Sequence, residues 1–192
     1  MALHAGRVQA AAESYLGLVE TGVGLIPAGG GCKEMLLRLG SAKRAFDLIG
    51  FGKVSESAPH AVELGFLRGN DGITMNRERL TADAKAAALA MVAGWAPGMP
   101  RQDIAVEGAA GYALLKMGIR LAVEGGYITE YDTVVGEKLA YTLSGGKLTG
   151  AQKVSEQYIL DLEREAFLSL CGNAKTQERM QYMLKNGKPL RN

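Results

Sequence analysis

Apolar and polar positions change rhythm along this chain. Residues 7–12 look extended, although their alanines are weak strand formers. Residues 14–19, SYLGLV, are the better strand candidate. A glycine-rich loop with one proline follows over 21–31, and from Cys32 onward the spacing becomes helical. Met35, Leu36 and Leu39 share a face over 32–39, closed by Gly40. Ser41 predicts the cap of a second helix, with Arg44 at the third helical position and Phe46, Leu48 and Ile49 facing the core. A short helix is predicted over 57–64, ending at Gly65. Apolar pieces at 66–67 and 73–75 flank the turn-like GNDG of 69–72.

The remainder reads as mostly helical. Residues 81–92 are alanine-rich and start from Thr81 as a cap. Residues 94–100 hold two prolines and break the pattern. Tyr112, Leu115, Ile119 and Ala122 recur at helical spacing within 107–124. The stretch 129–143 opens TEYD, a capping-like start with acids in the first turn. The stretch 155–170 opens SEQY and carries Ile159, Leu162, Ala166 and Leu170 on one side, and a last helix covers 174–185. The pattern divides the chain into a mixed part, 1–94, and a helical part, 101–192. The expected fold class is α/β, dominated by helix, with a few short strands near the N-terminus.

Composition narrows the function without naming it. Twenty-two basic and 20 acidic side chains leave a formal charge of +2, too small to point to a nucleic acid or membrane surface. No apolar run is long enough to span a bilayer, and the first residues lack the charged-then-apolar order of a signal peptide. Two cysteines, Cys32 and Cys171, suggest a reduced, cytoplasmic protein. His4 and His60 stand alone, and no Cys/His cluster has metal-ligand spacing, so no metal is expected. The 26 glycines, about twice the average frequency, concentrate at 22–31, 125–126 and 145–146, between the periodic segments.

The loop at 18–31, LVETGVGLIPAGGG, has the chemistry of a candidate site. Glu20 ends an apolar run, where burial can shift its pKa and fit it for proton transfer. Glycines let backbone N–H groups approach a ligand, and the helix start at 31–32 adds positive dipole character. The residues alone also allow a plain connection. Neither GxxxxGK[ST] nor a GxGxxG after a strand is present; Gly22 and Gly24 form only a lone GxG, so no nicotinamide-dinucleotide site is expected in this chain.

The same stretch resembles the segment of enoyl-CoA hydratases (the crotonase family) in which a catalytic glutamate, usually written P-E, precedes G-x-x-P-G-x-G-G. Val19 stands for the usual proline and Ala28 for the usual glycine. The following CKEMLLRLGSAKRAFDLIGFGKVSESAPHAVELGFL continues the likeness, with Ser57, Ala58, Ala61, Gly65 and Phe66 in the family's S-A-x-x-A-x-x-x-G-L element. The pattern covers roughly residues 7–67. The later stretches, YITEYDTVVGEKLAYTLSGG and VSEQYILDLEREAFLSLCGNAKTQERMQYMLKNGKPLRN, are similar to the C-terminal region of bacterial fused 3-hydroxyacyl-CoA dehydrogenases.

This resemblance implies a crotonase-like fold and hydration of a 2-enoyl-CoA thioester to a 3-hydroxyacyl-CoA, as in fatty-acid β-oxidation. Glu20 takes the place of the second of two glutamates, a general acid/base. Gly24, Pro27, Ala28 and Gly29 form the loop beside substrate and water, with the Ala28 N–H helping to hold the water. The first glutamate and the oxyanion donors belong to a segment preceding a stretch like ALHAGRVQAA, residues 2–11 here, so the chain is expected to carry half a site and little activity by itself. Glu34 has no counterpart in the motif and reads as a solvated helix residue. The implied partners are an acyl-CoA thioester, an upstream dehydrogenase region that would hold NAD, and further copies of the chain. No cofactor is expected within these residues. A non-catalytic docking module and an enoyl-CoA isomerase are the alternatives.

Overall fold

A computed structural model describes residues 2–192. In chain order it forms β1 (Gln9–Ala11), α1 (Gly31–Leu39), α2 (Ala42–Gly50), α3 (Ala58–Leu64), β2 (Gly72–Thr74), α4 (Leu80–Met91), β3 (Ile104–Val106), α5 (Gly108–Glu124), α6 (Glu130–Leu143), β4 (Gln152–Val154), α7 (Glu156–Cys171) and α8 (Ala174–Asn186). Helix dominates, as expected. The chain divides into two compact units. One holds the chain up to Gly17 together with Val54–Met99, and the other holds Leu18–Lys53 and Pro100–Asn192.

In the first unit, β1 and β2 pair in parallel, with Ala10 opposite Ile73. Asp71 sets the entry to the pair: its Oδ1 accepts from the Val8 N–H at 2.8 Å and its Oδ2 from the Arg68 N–H at 2.7 Å. Alanine, a weak strand former, serves here because the space is small. Ala10 is buried in a core whose other members include Ala58, Ala61, Phe66 and Leu67. α3 starts where the sequence predicts, with the Ser57 hydroxyl accepting from the His60 N–H, and ends at Gly65 in the left-handed region. The better-looking strand candidate, 14–19, forms none. It makes one isolated bridge, Gly17 to Val54, because its alternating residues find no neighbouring strand to complete a ladder. Thr81 is not a cap either. A 3-10 turn at Arg77–Arg79, capped by the Asn76 side chain, runs directly into α4 and puts Thr81 inside the helix.

The second unit packs α1, α2, α5, α6, α7 and α8 around Ile26, Met35, Ile49, Leu139, Leu143, Ile159 and Leu170, all essentially inaccessible. Capping is local and legible. Ser41 accepts from the Arg44 N–H, Ser155 from the Tyr158 N–H, and Thr129 and Asp132 form a reciprocal capping box. On α2 the fully buried positions are Ala42, Ala45, Leu48 and Ile49, while Phe46 is only half-buried. Within the part read as mostly helical, β3 and β4, which the sequence pattern does not predict, pair antiparallel, with Ala105 opposite Lys153. Three-residue strands are too short to show a period, yet Ile104 and Val106 are buried on one face and Ala105 is exposed.

Candidate functional site

The site at Glu20 is built within the second unit. Glu20 opens a 3-10 turn, Glu20–Val23, which Gly24 closes with φ of 80°, its N–H returning to the Glu20 and Thr21 carbonyls. The chain then passes through the buried residues Leu25 and Ile26, reaches Pro27, Ala28 and Gly29, and enters α1 at Gly31 from Gly30. This path brings Glu20, Ile26, Ala28 and Gly29 to one wall of a cavity of about 570 Å³. The opposite wall is one face of α7, comprising Gln157, Leu160, Arg164, Phe167 and Leu168, spaced three, four, three and one apart as a helix face requires. Glu20 is the one carboxylate among the described residues lining it. The volume lies in the range of small-molecule sites.

Burial pushes the Glu20 carboxyl above its ordinary value, against the pull of its own backbone N–H. Its Oε2 is buried with no hydrogen-bond partner. A carboxyl raised in this way keeps its proton more readily than a solvated one and is suited to proton transfer. Of the α7 residues lining the cavity, Gln157 and Arg164 both donate to Asp161, at 2.9 Å and 2.8 Å.

Of the five residues singled out in the sequence, Glu20, Ala28 and Gly29 meet at this cavity, whereas Gly24 and Pro27 do not line it. Gly24 works from behind the loop. Its carbonyl accepts from the Thr176 hydroxyl at 2.8 Å, and that hydroxyl lies 2.6 Å from the Tyr131 hydroxyl. A Cβ at Gly24 would stand 2.8 Å from Thr176 Oγ1 and 3.3 Å from the Tyr131 ring. Pro27 offers its carbonyl to the Cys32 thiol, with S···O of 3.2 Å. That thiol is fully buried, and burial, reinforced by the charges of Glu163 and Glu20, holds its pKa well above the ordinary value.

The first turn of α1, whose open N–H groups suggested an anion site, is already occupied. The Glu163 carboxylate of α7 accepts from the Gly30 N–H at 2.7 Å through Oε2 and from the Lys33 N–H at 2.6 Å through Oε1. Beside it the Lys33 ammonium bridges Glu34 and Glu156, each at 2.6 Å. Glu34 is therefore not the solvated residue its sequence position suggests: it is buried, and Arg38 reaches it from one turn on at 3.5 Å. Sequence reasoning passed over Glu163, although a signal was present. It sits among Ile159, Leu162, Ala166 and Leu170, a charged residue on the apolar stripe of α7, and such a residue is paired when buried.

Among the described residues, no group of three or more His, Cys, Asp or Glu could hold a metal ion, and no helix is long and apolar enough to cross a membrane.

No family model matches the chain. Over 199 aligned residues it is 46% identical to a probable 3-hydroxyacyl-CoA dehydrogenase of Bacillus subtilis (strain 168), an alignment that takes in 99% of this chain and 25% of that protein. The chain thus spans about a quarter of the length of the curated relative it matches. Among solved structures, a carnitinyl-CoA dehydratase from Mycobacterium avium 104 is 18% identical with a TM-score of 0.55, over 98% of this chain and 56% of that one. An enoyl-CoA hydratase/isomerase from Pseudoalteromonas atlantica T6c is 19% identical with a TM-score of 0.55, over 100% of this chain and 58% of that one. At these identities the likeness is one of fold, and it extends along the chain.

Proposed function

We propose that this chain supplies part of an enoyl-CoA hydratase-type site, in which Glu20 transfers a proton during addition of water to a 2-enoyl-CoA thioester. The observation that carries the reading is the half-buried Glu20, which lines a cavity together with Ala28 and Gly29 and whose carboxyl has a buried oxygen with no hydrogen-bond partner. In hydration the water oxygen bonds to carbon 3 of the enoyl group and a proton is delivered to carbon 2, while the thioester oxygen carries the intermediate negative charge. Glu20 suits the proton step, because burial lets it hold the proton until the carbon accepts it. On the resemblance to the hydratase motif, the Ala28 N–H is the group proposed to help hold the water. The first glutamate and the donors for the thioester oxygen are to come from residues outside these 192. The likeness to a quarter of a probable 3-hydroxyacyl-CoA dehydrogenase supports a setting within a longer polypeptide; a cytoplasmic β-oxidation enzyme that assembles with copies of itself is part of the same proposal.

The single carboxylate at the cavity favours one second reading, isomerisation of an enoyl-CoA, in which one acid can carry a proton from one carbon to another. Two measurements separate these readings from a docking role. Calorimetric titration of the chain with crotonyl-CoA should show binding, and absence of binding would leave only docking. In a polypeptide carrying the rest of the site, Glu20→Gln should lower kcat for crotonyl-CoA hydration by about 100-fold or more. If hydration is unaffected by that change and 3-enoyl-CoA isomerisation is lost, the second reading replaces the first.

A further inference from the structure

Glu163 is a buried acid that the proposed chemistry does not use. It is wholly inaccessible, and both its oxygens are committed to backbone N–H groups 130 or more residues away in sequence, at the junction of loop and helix. Gly30 directly follows Ala28 and Gly29, the two backbone positions at the Glu20 cavity. Gly30 itself is left-handed, with φ of 85°, and no side chain caps α1 from that position. The first turn of α1 thus lacks the local cap that α2, α3, α6 and α7 each take from a neighbouring Ser or Thr. Its cap comes instead from α7, the helix that forms the far wall of the same cavity.

The geometry points to Glu163 as a positioning residue: by gripping the Gly30 and Lys33 N–H groups it fixes the backbone of Ala28 and Gly29 opposite α7 and beside Glu20. The use of that position in thioester chemistry rests on the function proposed above; the positioning does not. Two short charge-assisted bonds to one carboxylate set both the distance and the angle at which the loop meets α7. A neutral glutamic acid cannot keep both, because one of the two accepting oxygens must then carry a proton.

The surroundings make this grip responsive to pH. Burial raises the Glu163 carboxyl to about 7, opposed by the N–H groups of Lys33, Gly30 and Cys32 and by the Lys33 charge. Other charged or titratable groups lie beside it or one contact further on. From α1 come the Lys33 ammonium, shared with Glu34 and Glu156, and the Cys32 thiol; from the 3-10 turn comes Glu20, whose charge acts on the same thiol. Glu163 should therefore be ionised and gripping above neutrality, and lose one bond below it.

The test is NMR of the isotope-labelled chain across that range, with no CoA compound present, so that its outcome is separate from that of the binding experiment. The Gly30 and Lys33 amides should titrate with a common midpoint near 7. The Ala28 and Gly29 amides should follow the same midpoint. In Glu163→Gln the titration should vanish from all of these signals, and exchange of the Gly30 and Lys33 amides should quicken about tenfold, as expected for loss of one hydrogen bond. Glu163→Asp should restore a titration, with a shifted midpoint. If Gly30 and Lys33 titrate while Ala28 and Gly29 stay still, Glu163 only caps a helix and the positioning role is wrong. Absence of any shared titration in the unsubstituted chain overturns it as well, and that measurement decides the matter even if the variants fail to fold.

Discussion

At the scale of single residues, the loop is held by groups that never touch its cavity. Gly24 is the clearest case. Its positive φ strains any side chain, and its Cβ position is filled by Thr176, so Gly24→Ala combines backbone and steric costs. We expect a loss of about 1–3 kcal/mol, measured by chemical denaturation, with Thr176→Ser tolerated because the hydroxyl that bonds the Gly24 carbonyl is kept. A Gly24→Ala protein as stable as its parent would remove this account of the glycine. Glu20, Ala28 and Gly29 were legible in the sequence because a motif is a local object. Glu163 and the buried state of Glu34 were not, since their partners come from the other end of the chain: Glu163 meets Gly30, and Glu34 shares Lys33 with Glu156.

Elements were legible to the extent that their ends are local. Ser41 and Thr129 cap as read, and Ser57 and Ser155, where the pattern predicts helices to open, cap them too, because a hydroxyl finds its N–H within three residues. Strands were not, because β1 needs β2 some sixty residues on and β3 needs β4 nearly fifty on, and residues 14–19 show that alternation without a partner yields no ladder. The start of α6 joins both kinds of contact. Asp132 caps locally with Thr129 and also receives the guanidinium of the fully buried Arg179 of α8 at 2.6 Å. Burial alone would raise the Asp132 carboxyl, but the Thr129 N–H and Arg179 outweigh it and hold it below its ordinary value. The sign follows: this stabilisation is present above the unfolded carboxyl value of 3.8 and is lost as pH falls through the lower folded value. Asp132→Ala should cost about 3–5 kcal/mol at neutral pH, since it strands a buried cation. The difference between variant and parent should shrink in acid. An equal difference in urea denaturation at neutral pH and at about pH 3 would contradict the linkage.

At the scale of the molecule, the two units differ in what holds them. The core of the first is largely Ala10, Ala58 and Ala61 with Phe66 and Leu67, and α4 buries none of its residues. The second unit rests on large side chains, including Ile26, Met35, Leu139, Ile159 and Leu170. Burial of alanine removes little apolar area, so the first unit should open at lower denaturant than the second. Trp95, the only tryptophan, lies in the first unit, so its fluorescence should change before the helical circular dichroism does. Coincident transitions would show that the units unfold as one. One boundary between the units, at Met99–Pro100, falls in the proline-bearing segment 94–100, but nothing in the composition marks the assignment of Leu18–Lys53 to the second unit. The first unit is assembled from two separated stretches, and only pairing such as Gln9 with Gly72 reveals it.

Cys32 carries one further consequence. Its sulfur is inaccessible, bonded to the Pro27 carbonyl and flanked by the charges of Glu163 and Glu20, so almost none of it exists as the nucleophilic thiolate. Cys171, the other thiol, is only half-buried. An alkylating reagent therefore meets a fast thiol and a slow one, and the slow one reacts only when the junction between Pro27 and α1 parts. The labelling rate at Cys32 is a clock for that parting, built into the loop that carries the candidate site.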